Sequence, residues 1–136
     1  MADALHARVS AAFRRARDKL VVAARVLDAG FPADSVSPAY YACFHAAEAA
    51  LAVEGDAPRT HEGLKSLFGL RFVQSGRLPA QLASTLRALK DERENGDYSV
   101  FPAITEEDAQ SAIADAVAFV GAVAVFLEGQ GFVTRD

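Results

Sequence analysis

The sequence predicts an all-α fold: one domain, residues 1–136, built as an up-and-down bundle of five helices. Alanine and leucine dominate the long segments, tryptophan is absent, and β-branched runs are scarce, so the composition favours helix over sheet. Apolar residues recur at spacings of three and four, which is the helical period. Residues 37–51 are apolar or small at almost every position, and a helix that is apolar nearly all round is buried nearly all round.

The first predicted helix runs from about Asp3 to Ala29 and carries one apolar stripe. Gly30 supplies the stop, and Pro32 prevents any continuation. The opposite face is basic, with Arg8, Arg14, Arg15, Arg17, Lys19 and Arg25. This cluster could contact phosphates, but interleaved aspartates and the lack of accompanying aromatic residues favour a solvated face.

The central helix is predicted to begin at Ser37, a good N-cap, with Pro38 in the first helical position, and to end near Val53. Its inward positions include Phe44 and Leu51, both expected in the core. The other helices should lie around this one.

Polar and reactive side chains are few on the central helix. Cys43 is the only cysteine, so the chain forms no intrachain disulfide, and the apolar surroundings indicate a buried residue. Tyr41 and His45 lie four residues apart and share a face. On such a helix this pair is more often a core hydrogen bond than a catalytic dyad.

Two further helices precede the last one. Thr60 is the predicted N-cap of the third helix, which closes at residues 74–76. Leu78 and Pro79 open the fourth, and Asn95-Gly96 should make it fray or turn.

The fifth helix is predicted to start at the cap Thr105 and to end at Gly129. The acids that follow the cap suit the positive end of the helix dipole, which explains them without a metal: Glu106, Glu107 and Asp108. The second and fifth helices are apolar on most sides, and the other helices of a short chain cannot cover all of that apolar surface. A homodimer would cover the surplus apolar surface.

Composition and motifs exclude several classes. The net charge of −4 argues against indiscriminate nucleic-acid binding, and we expect no DNA partner. The three histidines and one cysteine lack metal-ligand spacing, and there is no glycine-rich phosphate loop, so we expect neither metal nor cofactor. No basic-then-apolar secretion signal begins the chain, and no membrane partner is expected, which predicts a cytoplasmic protein.

Two places could hold chemistry. In the polar run 89–98, a bend at Asn95-Gly96 would bring Asp97 and Tyr98 back towards Arg93; the alternative is a helix end with solvated charges. His61 stands in the first turn of the third helix, where the dipole favours the neutral imidazole of a general base. The alternative there is a surface histidine that helps to cap the helix.

Several segments taken together resemble a HEPN domain, most closely the small stand-alone members. They are Ala39–Ala49, Arg59–Leu64, Leu67–Gly69 with Phe72-Val73, and Arg93–Tyr98. The resemblance covers residues from about 10 to about 128, nearly the whole chain.

This resemblance implies a helical bundle that dimerises and, for many members, a metal-independent endoribonuclease. The family motif is an arginine followed after four to six residues by a histidine, and two copies form one RNA-cutting cleft across the dimer. It also implies pairing with a minimal nucleotidyltransferase as toxin and antitoxin, in which a tyrosine beside the motif is adenylylated.

Carried onto this chain, the resemblance makes Arg93 the motif arginine. Tyr98 stands in place of the histidine and could match the modifiable tyrosine. His61 could supply the imidazole if the third helix starts beside the end of the fourth, and Asp97 would orient these groups. Two functions stay open: an endoribonuclease of a toxin–antitoxin-like pair, or a non-catalytic module that binds a nucleotidyltransferase or a nucleotide. A purely structural subunit is a third interpretation.

Overall fold

The computed structural model describes residues 2–98 and 104–135, with the side chains of 3–95 and 104–135. Within these residues the chain forms five α-helices and no strand, which confirms the all-α prediction. They are α1 Ala2–Asp28, α2 Pro32–Val53, α3 His61–Phe68, α4 Gln81–Tyr98 and α5 Glu106–Gly129, and α3 continues into a π-helical turn, Gly69–Val73.

The central position predicted for α2 is confirmed, because it packs against all four other α-helices. Leu51 and Cys43 on α2 have no exposed surface, and burial raises the pKa of the Cys43 thiol. The core therefore surrounds α2. Side chains of α2 that lie between two neighbouring helices are fixed in position by this packing.

The start of α2 differs from the prediction. The helix begins at Pro32, and Pro38 lies inside it rather than in its first position. Proline at N1 costs no hydrogen bond, so Pro32 is an equally good start. Ser35 donates its hydroxyl to the carbonyl of Pro32 at 2.7 Å and stabilises this extra turn. Pro38, which has no N–H, then leaves one backbone hydrogen bond unmade near the beginning of α2.

The bounds of α4 also differ from the prediction. It begins at Gln81 rather than at Leu78, and it passes through Asn95 and Gly96 to end at Tyr98. Asparagine and glycine lower helix stability by only about 1 kcal/mol each or less, which the helical residues on either side can offset. The predicted bend at Asn95-Gly96 is therefore wrong.

The beginning of α5 is confirmed as helix-start chemistry. The Thr105 hydroxyl accepts from the Asp108 N–H at 3.1 Å, and the Asp108 carboxylate accepts from the Thr105 N–H at 3.0 Å. These reciprocal bonds form a capping box.

Burial of α5 on most sides is not observed within one chain, since Val117 is 52% and Val125 71% exposed. By length and composition alone α5 could cross a membrane, and a third of its most apolar window is buried in the bundle. One apolar face of α5 is thus uncovered.

Candidate functional site

The first residue of α3 contacts a tyrosine of the central helix. Thr60 caps α3 by accepting the Gly63 N–H at 2.9 Å, as predicted, and this places His61 in the first turn. A 2.7 Å hydrogen bond joins the His61 Nδ1 to the Tyr40 hydroxyl. Tyr40 is only 2% exposed, whereas His61 is partly exposed. The imidazole therefore lies at the surface and is hydrogen-bonded to a buried phenol.

Two further rings from α2 surround this imidazole. Phe44 lies with its ring centroid 4.7 Å from that of His61, and Tyr41 lies edge-on at 5.8 Å. Phe44 was predicted to be buried in the core; it packs against the core but is only partly buried, beside His61. Together with Tyr40, these rings form an aromatic wall between α2 and α3.

Arg93 reaches the same wall from α4. Its guanidinium carbon lies 5.5 Å from the ring centroid of Tyr40 and 5.5 Å from that of Tyr41, within the range of cation–π attraction. Lys90, one turn earlier, donates to the Glu62 carboxylate at 3.1 Å and so joins α4 to the start of α3. The third helix therefore starts beside α4, and Arg93 and His61 share Tyr40 as a neighbour.

The charges of the site act on its titratable groups. Partial burial first, then the positive charges of Arg93 and Lys90, lower the pKa of His61 below its ordinary value of 6.5. Burial raises the pKa of Tyr40 to about 12, although Arg93 opposes the rise. At neutral pH the site thus holds a neutral imidazole, a neutral phenol and a permanent cation.

The histidine of α2, His45, has a different hydrogen-bond partner. His45 is buried and donates its Nδ1–H to the Glu48 carboxylate at 2.6 Å. The predicted core hydrogen bond between Tyr41 and His45 is wrong, because His45 bonds to Glu48 instead and Tyr41 contributes only a ring contact with a centroid distance of 6.1 Å. His45 therefore serves the packing of α2 rather than a dyad.

The structure brings together two of the four predicted site residues, Arg93 and His61. The backbone places Asp97 and Tyr98 at the end of α4, while their side chains lie outside the described residues. The sequence alone does not indicate the bond between Tyr40 and His61, because the two residues lie 21 positions apart. The spacing of four between Tyr40 and Phe44 was a usable signal for a shared aromatic face.

The chemistry available here is proton transfer beside a fixed positive charge. A neutral imidazole can accept a proton, and a guanidinium next to it can stabilise an oxyanion on phosphorus. Among the described side chains, residues 3–95 and 104–135, no group of three histidine, cysteine, aspartate or glutamate residues could hold a metal ion.

Comparison with known proteins matches residues 9–126 to the model of the HEPN domain. A UPF0332 protein of Pyrococcus horikoshii is 48% identical over 59 residues, 43% of this chain and 42% of that protein. A protein of Methanocaldococcus jannaschii named "Putative toxin" is 37% identical over 87 residues, 64% of each chain. The chain thus spans less than two thirds of these two relatives. A UPF0332 protein of Gloeobacter violaceus is 33% identical over 83% of this chain and 90% of its own length.

Proposed function

Because this chain belongs to the HEPN domain family, we propose that it is the toxin-like member of a toxin–antitoxin pair and that it cleaves RNA without a metal. The observation that carries the proposal is the position of Arg93 and a neutral His61 around Tyr40. The toxin name of the Methanocaldococcus jannaschii relative supports the same biological role.

In this proposal His61 is the general base. If its Nδ1–H donates to the Tyr40 oxygen, the Nε2 atom carries the lone pair and can take the proton of a ribose 2′-hydroxyl. The 2′-oxygen then attacks the adjacent phosphorus, and Arg93 stabilises the charge on the phosphorane. The bond to the 5′-oxygen breaks and that oxygen takes up a proton, which leaves a 2′,3′-cyclic phosphate and a 5′-hydroxyl.

Asp97 and Tyr98 complete the proposed site. The family motif has a histidine where this chain has Tyr98, so we assign Tyr98 a supporting role as proton carrier or as the target of adenylylation by a minimal nucleotidyltransferase antitoxin. Asp97 would orient it. We further propose that the protein works as a cytoplasmic homodimer in which two copies of Arg93 face one cleft.

The test is an RNA cleavage assay with purified protein in the presence of EDTA. Arg93→Gln should lower the rate by about a hundredfold or more, and His61→Gln by a similar factor. Arg87→Gln is the matched control, since it removes an exposed arginine of the same helix. Cleavage that is equal in Arg93→Gln and Arg87→Gln would refute the site.

A second function is favoured by one observation, the tyrosine at the position of the motif histidine. Without a competent base the same site would bind a nucleotide or a nucleotidyltransferase and regulate that partner. In that case the wild type would cleave no RNA, while Arg93→Gln would still weaken nucleotide or partner binding relative to Arg87→Gln.

A further inference from the structure

The ring of Phe44 is the part of the aromatic wall that the proposed chemistry does not use. It has no polar atom that could carry a proton or a charge, yet its centroid lies 4.7 Å from that of His61 and it is partly exposed. We propose that this ring is a stacking platform for one nucleobase of the RNA, the base on the ribose whose 2′-hydroxyl gives its proton to His61. The inference rests on the proposed function and extends it to the part of the substrate that is recognised.

The platform is held in place by neighbouring residues of α2. Tyr41 and Phe44 lie three residues apart and share a face of the helix, with their rings edge to face and their centroids 5.8 Å apart. The centroid of the buried Tyr40 lies 5.2 Å from that of Tyr41 and 6.2 Å from that of Phe44. Ala42 and Cys43 are fully buried, so α2 cannot turn these rings away without opening the core. A base would therefore meet a preformed surface and lose less free energy to ordering it.

A cation lies beside the platform. The guanidinium carbon of Arg93 is 5.5 Å from the ring centroid of Tyr41, and that centroid is 5.8 Å from the centroid of Phe44. Guanidinium groups suit phosphate oxygens, and aromatic rings suit the flat faces of bases. Tyr41 thus joins a place for a phosphate to a place for a base, and in a nucleotide one ribose carries both groups.

The geometry also selects which of the two bases at the cleaved bond is stacked. In the proposed reaction His61 contacts the 2′-hydroxyl of the ribose on the 5′ side of the phosphate. The base of that nucleotide is bonded to C1′, the neighbouring carbon of the same ribose. Phe44 has the smallest centroid distance to His61 among the rings of the wall, 4.7 Å against 5.7 Å for Tyr40 and 5.8 Å for Tyr41. The base on the 5′ side is therefore the one that Phe44 should contact.

A single partly exposed phenylalanine is ordinary on a protein surface and would not by itself indicate a ligand. Here the ring lies in one site with an imidazole and a guanidinium, which both suit a phosphodiester. A nucleotide fits this site better than an apolar side chain of a protein partner, because it supplies a flat face and an anion one ribose apart. Stacking does not read the edges of a base, so we expect little sequence preference.

The test uses dinucleotides, whose single phosphate fixes their position in the site, and follows their binding by NMR at the imidazole protons of His61. Each carries hydrogen in place of the attacking 2′-hydroxyl and so cannot be cleaved. Removal of the 5′ base should weaken binding to the wild type by about tenfold, whereas removal of the 3′ base should weaken it by less than about twofold. Equal affinities for the two abasic dinucleotides would refute the platform with no change made to the protein.

A second measurement changes the ring. Phe44→Leu keeps an apolar side chain, and it should bind the intact dinucleotide about tenfold more weakly but the dinucleotide without the 5′ base as tightly as the wild type does. Phe44→Tyr keeps the ring and should keep the wild-type difference. Phe31→Leu is the matched control, because it removes a 57% exposed ring just before α2, about 20 Å along that helix from Phe44. If Phe44→Leu weakens binding of both dinucleotides equally, the ring only positions His61, and the proposal is wrong.

The outcomes separate the platform from the proposed cleavage. If affinity depends on the 5′ base and on Phe44 but the wild type cleaves no RNA, the platform is upheld and the cleavage proposal fails. If the dinucleotides bind equally while Arg93→Gln abolishes cleavage, the platform is refuted and the cleavage site stands. If adenosine 5′-monophosphate binds more tightly than the dinucleotide and loses the same factor in Phe44→Leu, the base belongs to a free nucleotide, and the assignment to RNA is wrong.

Discussion

Replacing Arg93 with glutamine should destabilise the fold as well as the proposed chemistry. The guanidinium is partly buried and lies 5.5 Å from each of two tyrosine ring centroids. A cation–π contact contributes about 0.5–1 kcal/mol at an exposed site and more when desolvated, so the pair should contribute about 1–2 kcal/mol. Urea unfolding followed by circular dichroism should show this loss for Arg93→Gln. The loss for Arg87→Gln should stay within about 0.5 kcal/mol.

The same variant should change the titration of His61. Because the charge of Arg93 lowers the pKa of the imidazole, its removal should raise that pKa, which NMR can follow at the imidazole protons. In the wild type the lowered pKa means that the unfolded chain binds more protons below pH about 6.5, so stability falls as the pH drops. This fall should be smaller in Arg93→Gln. Equal stability and an equal His61 pKa in the two glutamine variants would refute the contact between Arg93 and the aromatic wall.

Three other predictions follow from burial and charge. Leu51→Ala should lower the free energy of unfolding, measured in urea, by about 2–5 kcal/mol. Phe44→Ala should lower it by less although it removes more atoms, because Leu51 is fully buried and Phe44 is not. The reverse order would contradict the packing. Burial and the charges of Asp108 and Asp115 raise the pKa of Glu92, so Glu92→Gln should raise the melting temperature at pH 7. This gain should shrink as the pH falls through the raised pKa and should be gone below the ordinary value of 4.5. A gain independent of pH would refute the explanation. Gly121→Arg should convert the proposed homodimer to a monomer in light scattering, because Gly121 lies between the exposed Val117 and Val125 on the uncovered face of α5. Helicity should be kept, since nothing lies within 4 Å of the position that a side-chain carbon would take there. An unchanged dimer would place the interface elsewhere.

The helices themselves could be predicted because their signals are local. The apolar period of α1, the cap at Thr60 and the capping residues around Thr105 each lie within a few positions of the element that they specify. The errors concern residues with two compatible roles. A proline fits the start of a helix, and both Pro32 and Pro38 could take that role, so the sequence alone could not choose between them. Asn95-Gly96 suits a helix end but does not require one.

The site was only half predictable, because its contacts join residues far apart in sequence. Arg93 and His61 could be singled out by position and type, but nothing local shows that α3 starts beside α4. That placement depends on long-range contacts, such as the hydrogen bond of Lys90 to Glu62 and the approach of Arg93 to the Tyr40 ring that also contacts His61. Without it, Tyr40 could be interpreted only as one more core residue of α2.

Burial of α2 also sets the geometry of the proposed base. A phenol hydroxyl that is removed from water must find a partner, since an unsatisfied buried polar group costs about 1–3 kcal/mol. For Tyr40 that partner is the Nδ1 of His61, which is itself held by the capped first turn of α3. The packing that stabilises the bundle therefore fixes which nitrogen of the imidazole faces the core and which faces outward. It follows that the position of His61 depends on the core around Tyr40 and Leu51, and that loosening this core should disturb the site before the bundle unfolds.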